Sequence, residues 1–181
     1  MSSTDSKIEK AKKFLKQNLV EIEKRDDLTQ EEKAERIINL FSGVCAGVAI
    51  QPIPFMDIFI LTPLQVLMGE RLAAIWGVPI KESSLGSVIK DIGRIGFMGF
   101  GAQQFAIGAY KTVLPGLGAI TTIPMVYGCT YAIGSVLSEF VYKRRAKGQS
   151  KLSNEKLRKM WKEYKTKGKE KYKKGDEIEI K

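Results

Sequence analysis

The chain has 181 residues, 44% of them hydrophobic and none of them histidine, which allows one buried core and removes the commonest general base and metal ligand. Its two cysteines, Cys45 and Cys129, stand in apolar runs, which argues against a disulfide scaffold and for small buried residues at helix contacts. The formal charge of +10 is segregated: residues 1–142 balance 14 Lys/Arg against 14 Asp/Glu, while residues 143–174 hold 15 against 3. A basic C-terminal segment of this kind suits an anionic surface.

Lys7 to Lys24 reads as an amphipathic helix, with Ile8, Ala11, Leu15, Leu19 and Ile22 at three- and four-residue spacing. The stripe is narrow, so docking on its own domain is expected, with self-association as the alternative. The polar, lysine-rich N-terminus is no secretory signal, and a reducing, cytoplasm-facing location is expected. Asp26-Asp27-Leu28 breaks the helix, and Thr29-Gln30-Glu31-Glu32 forms a capping box for a second one, apolar from Ile37 to Ile50. Gly43 and Gly47 on this helix form a G-x-x-x-G step that would let another helix approach closely.

Gln51-Pro52-Ile53-Pro54 cannot continue a helix, because proline removes backbone donors and disfavours helical geometry before it. Asp57 is expected to cap the next helix, which runs past Pro63, with a kink there, to about Trp76 and ends at Gly77-Val78-Pro79. A glycine-rich segment, 83–101, leads into a second apolar block, 95–142, interrupted by Pro115, Gly116 and Gly118. Ser153 is expected to cap a basic helix with Leu157, Met160, Trp161 and Tyr164 on one side, and the sequence beyond Thr166 reads as disordered. The apolar blocks, 37–69 and 95–142, share an outline, with a proline nine positions after each break (Pro54 to Pro63, Pro115 to Pro124), compatible with duplication or with chance.

A membrane span needs roughly 20 apolar residues. The arms 37–51 and 55–69 fall short and suit a re-entrant hairpin or buried core helices; the arms 95–114 and 117–137 are long enough. If each block is a hairpin, Lys33, Arg36, Arg71, Lys81, Lys90, Arg94 and Lys143-Arg144-Arg145 share one side, as the positive-inside tendency requires. Asp57 and Lys111 would then be a pair of tip charges, with helix capping the alternative role for Asp57. Lys143, Arg144, Arg145, Lys156, Arg158, Lys159, Trp161 and Lys162 are the candidate anionic-surface residues, for lipid head groups ahead of nucleic acid, since no base-stacking or groove-reading motif accompanies them.

No reaction chemistry is visible. Gly96 to Gly101 resembles a nucleotide loop only superficially, without a preceding strand or the right spacing, and the cysteines stand 84 positions apart without histidine, which is no zinc site. No enzymatic activity and no cofactor are expected.

Pro52, Pro54 and Asp57, then Thr62, Pro63 and Gln65, then the Gly77-Val78 helix end and the Pro115-Gly116-Leu117-Gly118 turn together resemble the domain-of-unknown-function family numbered 697, over about residues 37–140. Its members typically follow Era-like small GTPase domains, and inner-membrane proteins of the YcjF type are similar. The resemblance implies an all-helical, membrane-associated module that works with a GTPase. The chain has no G-x-x-x-x-G-K-[ST], so a GTPase would be a separate partner.

The expected fold is all-α: helical hairpins packed as a small bundle, flanked by an amphipathic N-terminal helix (1–28) and a basic C-terminal helix and tail (146–181), with the hairpin domain at 29–145. The expected function is a membrane-associated scaffold or anchor on the cytoplasmic face, peripheral or hairpin-inserted. The alternatives are a soluble cytoplasmic adaptor or homo-oligomer whose hairpins form its own core and, more weakly, a nucleic-acid binder through the lysine-rich tail.

Overall fold

A computed structural model describes residues 3–48, 56–78, 89, 92, 115–147 and 153–174, and among these residues there are five helices and no strand. They are α1 (Ser3–Lys24), α2 (Gln30–Val48), α3 (Met56–Ile75), α4 (Pro115–Lys147) and α5 (Asn154–Lys173). The bundle is all-α, as its patterning predicts.

Local chemistry sets the helix ends. The Glu32 amide donates to Thr29 Oγ1 at 3.2 Å, and the Thr29 amide donates to Glu32 Oε2 at 2.9 Å, so the two residues of the capping box satisfy each other. At the C-terminus of α3 the Gly77 amide donates to the Ala74 carbonyl at 3.0 Å and the Val78 amide to the Ala73 carbonyl at 2.9 Å. That Schellman closure puts Gly77 at φ 62°, where a side chain would be strained. Pro115 opens α4, a position where its missing donor costs nothing. Gly116 and Gly118 therefore lie in the first turn of α4, not in an interhelical turn. Pro63 is exposed within α3, and Asp57, expected as the cap, is the second residue of that helix, inside its first turn.

The second arm, 117–137, forms most of α4, and α4 is the centre of the bundle, packing on α2, α3 and α5. Its apolar residues occupy every side, and from Val126 to Leu137 each is buried except the part-buried Cys129. A helix apolar all round has to be enclosed by something, and here other helices enclose the described part of α4. Phe41 and Ile37 of α2, Met68 and Leu72 of α3, and Val136 and Leu137 of α4 are fully buried in one core, which also takes in Ile89 and Ile92. Each such side chain contributes about 1.5–3 kcal/mol through removal of apolar surface from water.

The N-terminal helix docks on this core, as its stripe predicts. Leu15 is fully buried, with Leu19 and Ala34 beside it in the cluster that joins α1 to α2. Lys33 Nζ reaches back to the Glu23 carbonyl at 3.0 Å, and Gln30 Nε2 donates to the Ile75 carbonyl at 2.9 Å, tying the start of α2 to α1 and α3.

The last helix corrects an expectation. The chain beyond Thr166 is helical to Lys173, although its composition reads as disordered. The helix persists because its inner side has a seat on α4, described next.

Candidate anionic-surface site

The sequence that makes α5 basic also gives it a packing face. Ser153 caps it, its Oγ accepting the Lys156 amide at 3.3 Å. Leu157, Met160, Trp161 and Tyr164 follow at helical spacing, and the stripe continues through Gly168 to Lys171 and Tyr172. Met160 and Gly168 are buried, and Leu157, Trp161 and Tyr164 pack against the core.

Two glycines let the helix axes come close. A Cβ built on Gly168 would lie 2.8 Å from Tyr131 Cβ and 3.0 Å from Gly128 Cα. One built on Gly128 would lie 2.9 Å from the Lys165 carbonyl oxygen. Both positions are thus filled by the opposing helix. Gly47 differs: a Cβ there meets nothing within 4 Å among the described residues.

The rest of the seam is polar. Lys171 Nζ sits 2.8 Å from Glu35 Oε1 of α2 and 5.8 Å from the centre of the Tyr131 ring. That hydrogen bond and charge hold the Glu35 carboxyl below its ordinary range. Tyr164 donates to Glu139 Oε2 at 3.2 Å, and burial raises its phenol. Tyr127 donates to Asn39 Oδ1 at 3.3 Å and stacks obliquely with Tyr172, ring centres 5.6 Å apart. Lys165 is half-buried, and desolvation lowers its ammonium pKa. Under this seam burial pushes the Cys129 thiol up to about 11, and deeper in the core the Cys45 thiol up to about 12. Neither is poised as a nucleophile.

The outer side of α5 carries the charge. Lys156, Arg158, Lys159, Lys162 and Lys167 are exposed, with Glu163 between them and Glu155 and Glu170 just before and after. Lys159, Lys162, Glu163, Thr166, Lys167 and Glu170 line an open strip of about 490 Å³, and all six come from α5, so it is a surface and not an enclosed pocket. The structure therefore brings Lys159 and Lys162 together with Lys167 on one exposed strip, leaves Lys156 and Arg158 exposed on the same helix outside that strip, and turns Trp161 inward. Lys143, Arg144 and Arg145 fall near the C-terminal end of α4. Pro52, Pro54 and Lys111 lie outside the described residues, so the Asp57–Lys111 pair does too.

Glu35, Gly128, Tyr131, Gly168 and Lys171 were not singled out by sequence reasoning. The signal for the last two turns of α5 is present in the continued three-and-four spacing from Leu157 to Tyr172, masked by its lysines. Among the described residues no cluster of acidic or cysteine side chains could hold a metal ion, and no helix is long and apolar enough to cross a membrane.

Magnetosome membrane protein 22 of Magnetospirillum gryphiswaldense is 29% identical over 115 residues, which cover 61% of this chain and 58% of that protein. The chain thus matches somewhat over half the length of that relative. No solved structure gives a significant match. The family model for the domain of unknown function DUF697 matches residues 15–153, from within α1 to the cap of α5, and the chain belongs to that family.

Proposed function

We propose that the protein is a non-enzymatic, membrane-associated helical module that meets an anionic lipid surface through α5. The observation that carries this reading is the exposed row of Lys156, Arg158, Lys159, Lys162 and Lys167, which continues the charge of Lys143-Arg144-Arg145 on a chain otherwise close to neutral. Each lysine or arginine near an anionic leaflet is worth about 1 kcal/mol, so the few of these side chains that face the leaflet together give reversible, salt-sensitive attachment. A relative whose name places it in the magnetosome membrane supports the same reading.

The test is co-sedimentation of the full chain with phosphatidylcholine vesicles, with and without an equal part of phosphatidylglycerol. Sedimentation with the anionic vesicles alone, lost in high salt, is expected. No sedimentation with either would sink the reading, and sedimentation indifferent to salt and charge would replace the electrostatic contact with insertion. The family resemblance supports a further role, anchoring a separate GTPase, which affinity capture by immobilised nucleotide-loaded small GTPases tests directly.

A second reading, a soluble helical adaptor, is favoured by the enclosure of Val126–Leu137 within protein. It predicts monodisperse protein without detergent and no partition to either vesicle.

A further inference from the structure

We propose that α5 is a detachable cover: on an anionic bilayer it leaves α4 and lies in the lipid interface, uncovering the Tyr127–Tyr131 stretch beneath it. The proposal rests on the membrane reading above and concerns how that contact is regulated.

The face of α5 that seats on α4 is also a face that suits a bilayer. Leu157, Met160, Trp161 and Tyr164 form one apolar side with two aromatic residues, and lysines flank it. That is the composition of a helix lying in the headgroup region, where aromatic rings rest at the boundary and lysine stems reach outward. Docking on α4 and lying on lipid therefore compete for one surface.

The seat is extensive, and its contacts are of kinds that a bilayer interface also offers. Only Met160 and Gly168 of α5 are buried, and Gly168 contributes backbone proximity with no side chain. Leu157, Trp161 and Tyr164 add part-buried apolar packing on the core, and the polar fastenings include the Lys171–Glu35 pair, the Tyr164–Glu139 hydrogen bond and the Tyr127–Tyr172 ring contact. Lipid phosphates can replace the ion pair, and water the hydrogen bond.

Charge gives the direction. Of the nine basic residues of α5, Lys165, Lys169 and Lys171 are part-buried on or beside the seat while the helix is docked. Release returns them to the same surface as the exposed row and takes Lys165 out of a desolvated position. It also separates α5 from Glu35 and Glu139, two carboxylates that a lipid surface would repel. An anionic bilayer thus has more to gain from the released helix than from the docked one, and a neutral bilayer does not.

Cys129 provides a native reporter. It follows Gly128 in α4 and lies beside Lys165 and Lys169, whereas Cys45 is fully buried in the core away from α5. The experiment is alkylation of the full-length chain, with Cys129 and Cys45 read separately by peptide mass spectrometry. Phosphatidylcholine vesicles are compared with phosphatidylcholine/phosphatidylglycerol vesicles, and with duplex DNA at equal phosphate.

Release predicts that the anionic vesicles raise the Cys129 rate by about tenfold or more, as local opening of one element should, with Cys45 unchanged. If the chain sediments with those vesicles and the Cys129 rate stays put, α5 remains docked: the cover is refuted and the membrane reading stands. If the chain does not sediment, both fall. Equal acceleration at both cysteines means general unfolding and refutes the cover, and equal acceleration by duplex DNA refutes the lipid as its partner. Gly168→Leu, which forces the seam apart, should raise the Cys129 rate without lipid and leave Cys45 slow. An unchanged Cys129 rate in that variant would show that α5 does not shield it.

Discussion

Gly168→Ala tests the seam between α4 and α5 through the sign of its effect. In an open helix interior, replacing glycine by alanine stabilises by about 1 kcal/mol, because alanine loses less backbone freedom on folding. At Gly168 the new methyl would stand 2.8 Å from Tyr131 Cβ and 3.0 Å from Gly128 Cα, atoms at the root of a side chain and in a backbone that cannot swing aside. The helices must separate by several tenths of an ångström, and overpacking of this kind costs about 1–3 kcal/mol. The net expectation is destabilisation of up to about 2 kcal/mol, which in a chain of this size lowers Tm by roughly 2–4 °C per kcal/mol.

Gly47→Ala is the matched control. Its methyl meets nothing within 4 Å among the described residues, so the propensity gain should appear undiminished by a clash, although reduced to about half because Gly47 is the penultimate residue of α2. Urea unfolding followed by far-UV circular dichroism measures both, with equal slopes confirming a common unfolded state. If Gly168→Ala stabilises as Gly47→Ala does, the close crossing is absent and α5 is no integral part of the bundle. Gly128→Ala should also destabilise. Combined with Gly168→Ala it should cost less than the sum, since helices already parted have less left to lose.

Other outcomes follow from the core, the cap and the seam. Phe41→Ala removes a fully buried ring and should cost about 3–5 kcal/mol in the same unfolding assay; a loss under about 1 would place Phe41 outside a packed core. Thr29→Ala removes the hydroxyl that receives the Glu32 amide and should cost about 1 kcal/mol, whereas Thr29→Ser should retain most of the stability. Glu35→Gln breaks the pair with Lys171; Glu35 is half-exposed, so screening limits the cost to about 0.2–1 kcal/mol. The Glu35 carboxyl is depressed, so its contribution is complete above the ordinary glutamate range near about 4.3 and disappears as pH falls through and below it. The Tm gap between wild type and Glu35→Gln should therefore close in acid, and a gap that widens there would contradict the assignment.

The parts of the fold that were readable from sequence are those fixed by neighbours along the chain. The Thr29–Glu32 box, the Gly77 closure, the Ser153 cap and the docking stripe of Leu15 and Leu19 all depend on residues within a few positions of one another. The α4–α5 seam depends on residues about forty positions apart. Gly128 and Gly168 have no mark in the sequence to distinguish them from Gly47, because what matters at each is the opposing helix. The last turns of α5 were misread for a related reason. Lysine-rich composition predicts disorder only while no partner exists, and Glu35, Tyr131 and Gly128 provide one.

The same seam bears on whether the apolar arm 117–137 belongs to lipid or to protein. Hydropathy alone leaves that open, since a helix apolar on all sides suits either solvent. The polar residues within and just after the arm are more telling. Tyr127 is bonded to Asn39, Ser138 accepts the Trp76 indole N–H at 3.0 Å, and Glu139 accepts from Tyr164. Helices α2 and α5 and the turn that ends α3 thus supply partners to groups that would each cost several kcal/mol unpaired in hydrocarbon. A lipid-facing α4 would have to surrender all three, whereas release of α5 surrenders only the bond to Glu139 and leaves Asn39 and Trp76 in place. Of the three bonds, release of α5 therefore breaks only the one made to the most basic of the described helices, and the polar ties of α4 to Asn39 and to Trp76 survive it.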